Sequence, residues 1–215
     1  MTHPQDPLQK KKTSALQENH RQLEVAVTNQ LRSFAIQSSN IKKIVNGVAE
    51  ALGLEEFHVS VAFVGTAAIK KLNAAYRQKD YATDVLSFGQ IDWPSPLRLH
   101  PKKKVRPRGP HELLLGDIVI SLPNAKKNAA SIGQGIDREV CFLLIHAMLH
   151  LCGHDHMAPR EEQVMLKLQN RILAALAEIK SGPTIWKNCV QETKQDRTKT
   201  RPGPKQRQVR AKKDR

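Results

Sequence analysis

The chain has no apolar run approaching the roughly 18 residues that cross a membrane as a helix, so a membrane-spanning protein is not expected. Its first residues carry Asp6, Glu18 and the run Lys10, Lys11 and Lys12 with no hydrophobic stretch between them, which does not read as a secretory signal. Cysteine is scarce. Cys141, Cys152 and Cys189 are odd in number and unhelpfully spaced for a disulfide framework, so reduced thiols and a cytoplasmic location are expected. No internal repeat is visible. Acidic charge is also in short supply, with 20 Asp and Glu against 35 Lys and Arg. What is present is enough for a core: 40% of the 215 residues are apolar, the size of one ordinary domain with tails.

The net charge of +15 is localised. Residues 180–215 hold twelve basic and three acidic side chains, and residues 98–108 hold six basic and no acidic ones. The remainder is balanced. Charge confined to one tail and one internal segment is an electrostatic footprint for a polyanion, nucleic acid first; the plainer alternative for the tail is solubility alone.

Along the chain, residues 1–20 are polar and proline-containing and are expected to form a disordered arm. Alternating apolar residues from Leu23 to Leu31 predict a strand, and Ile41, Ile44, Val45, Val48 and Leu52 predict a helix, capped at Ser38–Asn40 and stopped by Gly53. A β-branched run predicts a strand over 57–64; Thr66 is placed to cap a helix running to Tyr76. Short strands are predicted at 84–88 and 113–121, and helices at 123–132, from Asp137 to Leu151, and at 160–179. Five prolines in residues 92–111 predict an exposed, irregular insertion. Gly182-Pro183 closes the domain, taken as 21–180, and 181–215 is expected to be a disordered basic tail. Strands interspersed with helices predict an α+β fold, a small mixed four-stranded sheet covered by helices.

Residues 146–156 read His-Ala-Met-Leu-His-Leu-Cys-Gly-His-Asp-His. His146 and His150 fall one helical turn apart on the same face, and Gly153 is placed where a helix ends in a left-handed residue. The reversed chain then brings His156 toward them. Three imidazoles with a fourth position open are the ligand set of one reactive Zn2+ ion. His154 reads as a turn residue facing solvent or substrate, Asp155 as a partner orienting the turn or a ligand, and Cys152 as packing. The spacing is metzincin-like, a metal-binding helix and turn, except that Ala147 stands where those proteases carry a glutamate base. A methyl group takes no proton, so peptide hydrolysis loses its base.

A second stretch runs from Leu72 to Phe88 and holds Arg77, whose planar fork suits a phosphate; by itself the stretch reads rather as carrying a surface arginine paired with Asp80 or Asp84. Together with Leu115-Gly-Asp-Ile-Val-Ile-Ser121 and the histidine motif, these blocks, in this order, resemble the YbeY family of endoribonucleases, also called rRNA maturation factors, over residues 23–179. The resemblance implies a metal-dependent, single-strand-specific endoribonuclease acting in small-subunit ribosomal RNA maturation and ribosome quality control. It places metal ligands at His146, His150 and His156 and an arginine implicated in activity at Arg77. Ribosomal RNA and ribosome or small-subunit assembly proteins are the implied partners. Ala82, Ala147 and His154 depart from the family pattern, and none removes a ligand. The competing expectation is a non-enzymatic ribosome assembly factor with a structural zinc, which a closed site of four protein ligands would favour.

Overall fold

The computed structural model describes residues 23–99, 104–109, 114–155, 157–177 and 188–193. The N-terminal arm, most of the basic tail, the Gly182-Pro183 boundary and His156 lie outside the described residues.

The β-branched runs form the expected sheet. Strand β1 (Glu24–Asn29) pairs in parallel with β3 (His58–Val64), which pairs in parallel with β5 (Leu114–Ser121); β4 (Val85–Gly89) closes the edge antiparallel to β5. Side chains alternate between the faces, as the pleat requires. Val59, Val61, Phe63, Ile118 and Ile120 enter the larger core against α1 (Ser38–Leu52), α4 (Ile136–Leu151) and α5 (Pro159–Ala177). Val64 and Val119 point the other way and meet Ile69 of α2 (Thr66–Arg77). The α+β architecture with a mixed four-stranded sheet is as expected.

Helix α4 is the centre of the larger core. Val140, Leu144, Ile145, Met148 and Leu149 are all fully buried, each burial stabilising by about 1.5–3 kcal/mol relative to exposure. Between Cys141 and His150 only Phe142, His146 and His150 are partly exposed. Their spacing of four makes one stripe along an otherwise buried helix. The apolar residues therefore determine which way the histidines face.

Several local expectations give way to tertiary pairing. The first strand ends at Asn29, and a separate short strand, β2 (Phe34–Ile36), pairs antiparallel with β6 (Val190–Glu192). That second strand falls in the stretch expected to be a disordered tail. It returns because Cys189 and Val190 are buried and Asp137 accepts hydrogen bonds from the backbone N–H of Asn188 (3.0 Å) and Val190 (2.8 Å). Asp137 is thus occupied inside the first turn of α4, and the cap position belongs to Gly135. Gln37 and Gly65 likewise take the cap positions expected at Ser38–Asn40 and Thr66, whose hydroxyl donates instead to Asn124 Oδ1 at 3.2 Å. Helix α3 (Leu122–Ser131) follows β5 without a loop.

The insertion is irregular, as its prolines demand, but its described parts are docked rather than free. Trp93 Nε1 donates to Leu151 O at 2.7 Å, and Leu97 N donates to Cys152 O at 3.1 Å, fastening it to the end of α4. Further on, Val105 bridges Leu54, and Arg106 and Lys104 reach Glu55 at 2.7 and 3.1 Å. Glu55 is 4% exposed. Burial pushes its carboxyl up, but the hydrogen bonds and charges of Arg106 and Lys104 together hold it below the ordinary glutamate value. A lowered folded-state pKa contributes stability above the unfolded value, lost as pH falls through the folded one. Glu55→Gln is expected to cost about 1–2 kcal/mol near neutral pH, discounted because both cations are half-exposed. Urea titrations at pH 7 and pH 3 check this: the difference between variant and wild type should shrink at pH 3.

Candidate active site

The histidine stripe ends at a backbone reversal. Gly153 has φ +83°, the left-handed conformation expected of it, and its N–H donates to His150 O at 3.0 Å. A Cβ there would also lie 3.1 Å from Trp93 Cβ, so the docked insertion adds a second reason for glycine. His154, expected to face solvent or substrate, is instead buried; its Nε2–H donates to Leu97 O at 2.6 Å. Burial lowers the pKa of that imidazole, with the bond to Leu97 acting in the opposite direction. Cys152 is fully buried, and burial pushes its thiol far up, in keeping with packing.

The Nε2 atoms of His146 and His150 lie 3.1 Å apart. Two imidazoles bound tetrahedrally at about 2.0–2.1 Å place their nitrogens roughly 3.3 Å apart, so the pair fits one zinc ion. The other edge of His146 is held too. Gln169 of α5, 2% exposed, donates through Nε2 to Phe142 O at 3.4 Å and presents Oε1 to His146 Nδ1 at 3.4 Å. A carbonyl oxygen only accepts, so the proton belongs on Nδ1, leaving the Nε2 lone pair for a ligand. Among the described residues no set of three His, Cys, Asp or Glu side chains converges as a metal site; the third expected ligand, His156, lies outside them.

Arg77 ends α2, where Gln78 turns left-handed at φ +58°. The polar turn that follows is tied down by buried Asn73, whose Nδ2 donates to Tyr81 O at 2.8 Å. Asp84 accepts from Val85 N and Asn128 Nδ2, both at 2.8 Å, and so fixes the start of β4. Asp80 pairs with Lys70 at 3.3 Å. Neither acid forms an ion pair with Arg77 among the described residues. The guanidinium therefore does not occupy the surface pairing open to it on sequence grounds.

These pieces meet in one cleft of about 810 Å3, lined by Tyr76, Arg77, Tyr81, His146, His150 and Asp155 among others. Arg77, His146 and His150 are thus brought together. Three lining or supporting residues were not anticipated. Tyr76 and Tyr81, the only tyrosines in the chain, are 68% and 56% exposed on the cleft wall. Tyr76 stacks edge-on against Phe88 with ring centroids 5.1 Å apart. The signal for them was rarity: two tyrosines in 215 residues, both beside the arginine. Gln169 carried no such signal, because an amide on an amphipathic helix is unremarked until its neighbour is known.

The fold is α+β, a mixed sheet with helices on both faces, and its open cleft holds a histidine pair, exposed aromatics and an arginine that enters no ion pair among the described residues. A family profile described as Endoribonuclease YbeY matches residues 24–177. The chain belongs to that family, and the expected enzyme class, an endoribonuclease and so a hydrolase, is borne out. Proteins named Endoribonuclease YbeY are similar to it in Persephonella marina, 37% identical over 69% of this chain and 89% of the relative. The one in Geobacillus kaustophilus is 41% identical over 65% of this chain and 88% of its own length. A solution structure of a Thermotoga maritima protein aligns with a TM-score of 0.43 and 20% identity, covering 70% of this chain and 90% of that one. Among the described residues no helix is long and apolar enough to cross a membrane.

Proposed function

We propose that this chain is a metal-dependent, single-strand-specific endoribonuclease acting in the cytoplasm on ribosomal RNA, in small-subunit maturation and ribosome quality control. The observation that carries it is the placement of Arg77 and the His146–His150 pair in one cleft. His146 and His150, with His156 as third ligand, would hold one zinc ion, which when bound supplies a Lewis acid and a water of lowered pKa. The protein's own groups supply the rest. Arg77 offers a planar fork to the non-bridging phosphate oxygens and stabilises the charge that develops on them. Tyr76 and Tyr81 present exposed rings on which unpaired bases stack, which favours single strands over duplex. Gln169 keeps His146 in the tautomer with Nε2 free. Ala147 carries no base, so the nucleophile is either a water whose pKa a bound zinc would lower or the RNA 2′-hydroxyl, and the end groups left on the cleaved RNA separate the two. Ribosome assembly proteins are the partners this role calls for.

The test is cleavage of unstructured and duplex RNA, and of ribosomal RNA precursors, by the purified chain with its metal content measured. Cleavage of single strands alone, with about one zinc per chain, is expected. Arg77→Ala should lower the rate roughly 100- to 1,000-fold with zinc retained, and Arg77→Lys should recover part of it. An intact rate in Arg77→Ala would remove the arginine from the site. A zinc-loaded chain that cuts no single-stranded RNA would overturn the assignment.

A further inference from the structure

The cleft adjoins a second groove. Gly153, His154 and Asp155 line both, and the second, of about 680 Å3, runs between the first half of the insertion and helix α5. One wall carries Arg98 with Leu99. The other carries Arg160, Val164, Leu168 and Arg171, whose spacings of four, four and three put them on one face of the helix. Along that face two arginines are separated by an apolar strip, over about 16 Å at 1.5 Å per residue.

The opposite wall is a built feature. His154 holds Leu97 O at 2.6 Å, Leu97 N holds Cys152 O at 3.1 Å, and Trp93 holds Leu151 O, so Arg98 stands on backbone fixed to the site helix. The arginines here also differ from two cations further along the insertion. Lys104 and Arg106 are committed to Glu55, whereas among the described residues Arg98, Arg160 and Arg171 enter no ion pair. Of the groove's two acids, Glu161 accepts from Ala158 N in its own first turn, and Asp155 belongs to the turn shared with the cleft.

We infer that this groove is a second RNA-binding subsite, in which Arg98, Arg160 and Arg171 hold backbone phosphates of a single strand leaving the histidine cleft. Leu99, Val164 and Leu168 take the sugar and base faces between them. At about 3.4 Å per stacked nucleotide the helix face accommodates several nucleotides. The insertion thereby lengthens the substrate footprint beyond the reacting phosphate. This inference rests on the ribonuclease assignment of the cleft.

The experiment measures binding of the full-length protein to fluorescein-labelled 2′-O-methyl phosphorothioate single strands of four and twelve nucleotides, from low to moderate salt. Wild type should gain affinity on lengthening from four to twelve. In Arg98→Gln/Arg160→Gln/Arg171→Gln that gain should be lost, and the slope of log affinity against log salt should become shallower by about 2, at roughly 0.7 per phosphate contact. Arg98→Gln alone should shift it by about 0.7. Lys42→Gln/Lys43→Gln/Lys127→Gln removes the same charge elsewhere on the surface and should keep the wild-type length dependence. The subsite is disproved if the arginine variant keeps the wild-type slope and length gain, as it would were the groove a protein-docking surface, or if the lysine control loses as much. Wild type that neither binds these strands nor cleaves RNA would instead overturn the ribonuclease assignment itself.

Discussion

His150→Ala is expected to abolish RNA cleavage, lowering the rate at least about a thousand-fold, while the fold persists. The rate estimate follows from the scale of preorganised electrostatic stabilisation, since the substitution removes one of two nitrogens 3.1 Å apart and with it the proposed zinc ligation. Persistence of the fold follows from position. His150 lies on the partly exposed stripe of α4, one residue before the helix ends, and its neighbours Met148, Leu149 and Leu151 keep their buried places. Alanine is also the better helix former. Zinc content, cleavage rate and thermal unfolding, measured on one preparation, check the three parts together. A variant that cuts RNA at the wild-type rate would eliminate the histidine pair as the reactive centre.

Gly116→Ala is expected to be the most destabilising single-methyl change in the sheet, at roughly 3–5 kcal/mol. Gly116 has φ +151°, and a Cβ there would lie 2.3 Å from Phe88 O and 2.8 Å from Leu151 Cδ2. Backbone strain of about 1–3 kcal/mol adds to an overpacking cost of similar size. The atoms in the way explain the glycine of the Leu-Gly-Asp-Ile block. Strand β5 shifts register against β3 here, so that His58 faces Leu114 and Val59 faces Gly116, and Leu115 is the extra, fully buried residue. On its other side β4 and the end of α4 close in directly. Phe88 and Gly89 line the cleft, so a Cβ on Gly116 would push the cleft wall as well as the core. Gly89 pairs with Gly116 across the strands, yet a Cβ on Gly89 meets nothing within 4 Å. Gly89→Ala should therefore stay within about 1 kcal/mol of wild type. Urea unfolding of the pair decides it, and equal stability of the two variants would contradict the packing described.

Much of this site is legible in the amino-acid sequence. Periodicity of four placed His146 and His150 on one face, because helical geometry repeats every turn whatever lies around it. The left-handed turn at Gly153 follows from the conformational freedom of glycine, and the strands follow from β-branched alternation. The insertion's prolines correctly excluded regular structure over most of its described length. Its charge was less informative, since Lys104 and Arg106 are paired with Glu55.

What the chain determined by itself is therefore local: which residues are helical, which face of α4 carries imidazoles, and where that helix must stop. The tertiary structure alone decided that Gln169 orients His146, that His154 turns inward to hold Leu97, and that residues 190–192 pair with β2. It also decided that Arg77 stands free of Asp80 and shares a cleft with the histidines. The physical reason is the same in each case. Backbone periodicity is written into neighbouring residues, whereas a hydrogen bond between distant side chains exists only once burial has removed water as the competing partner.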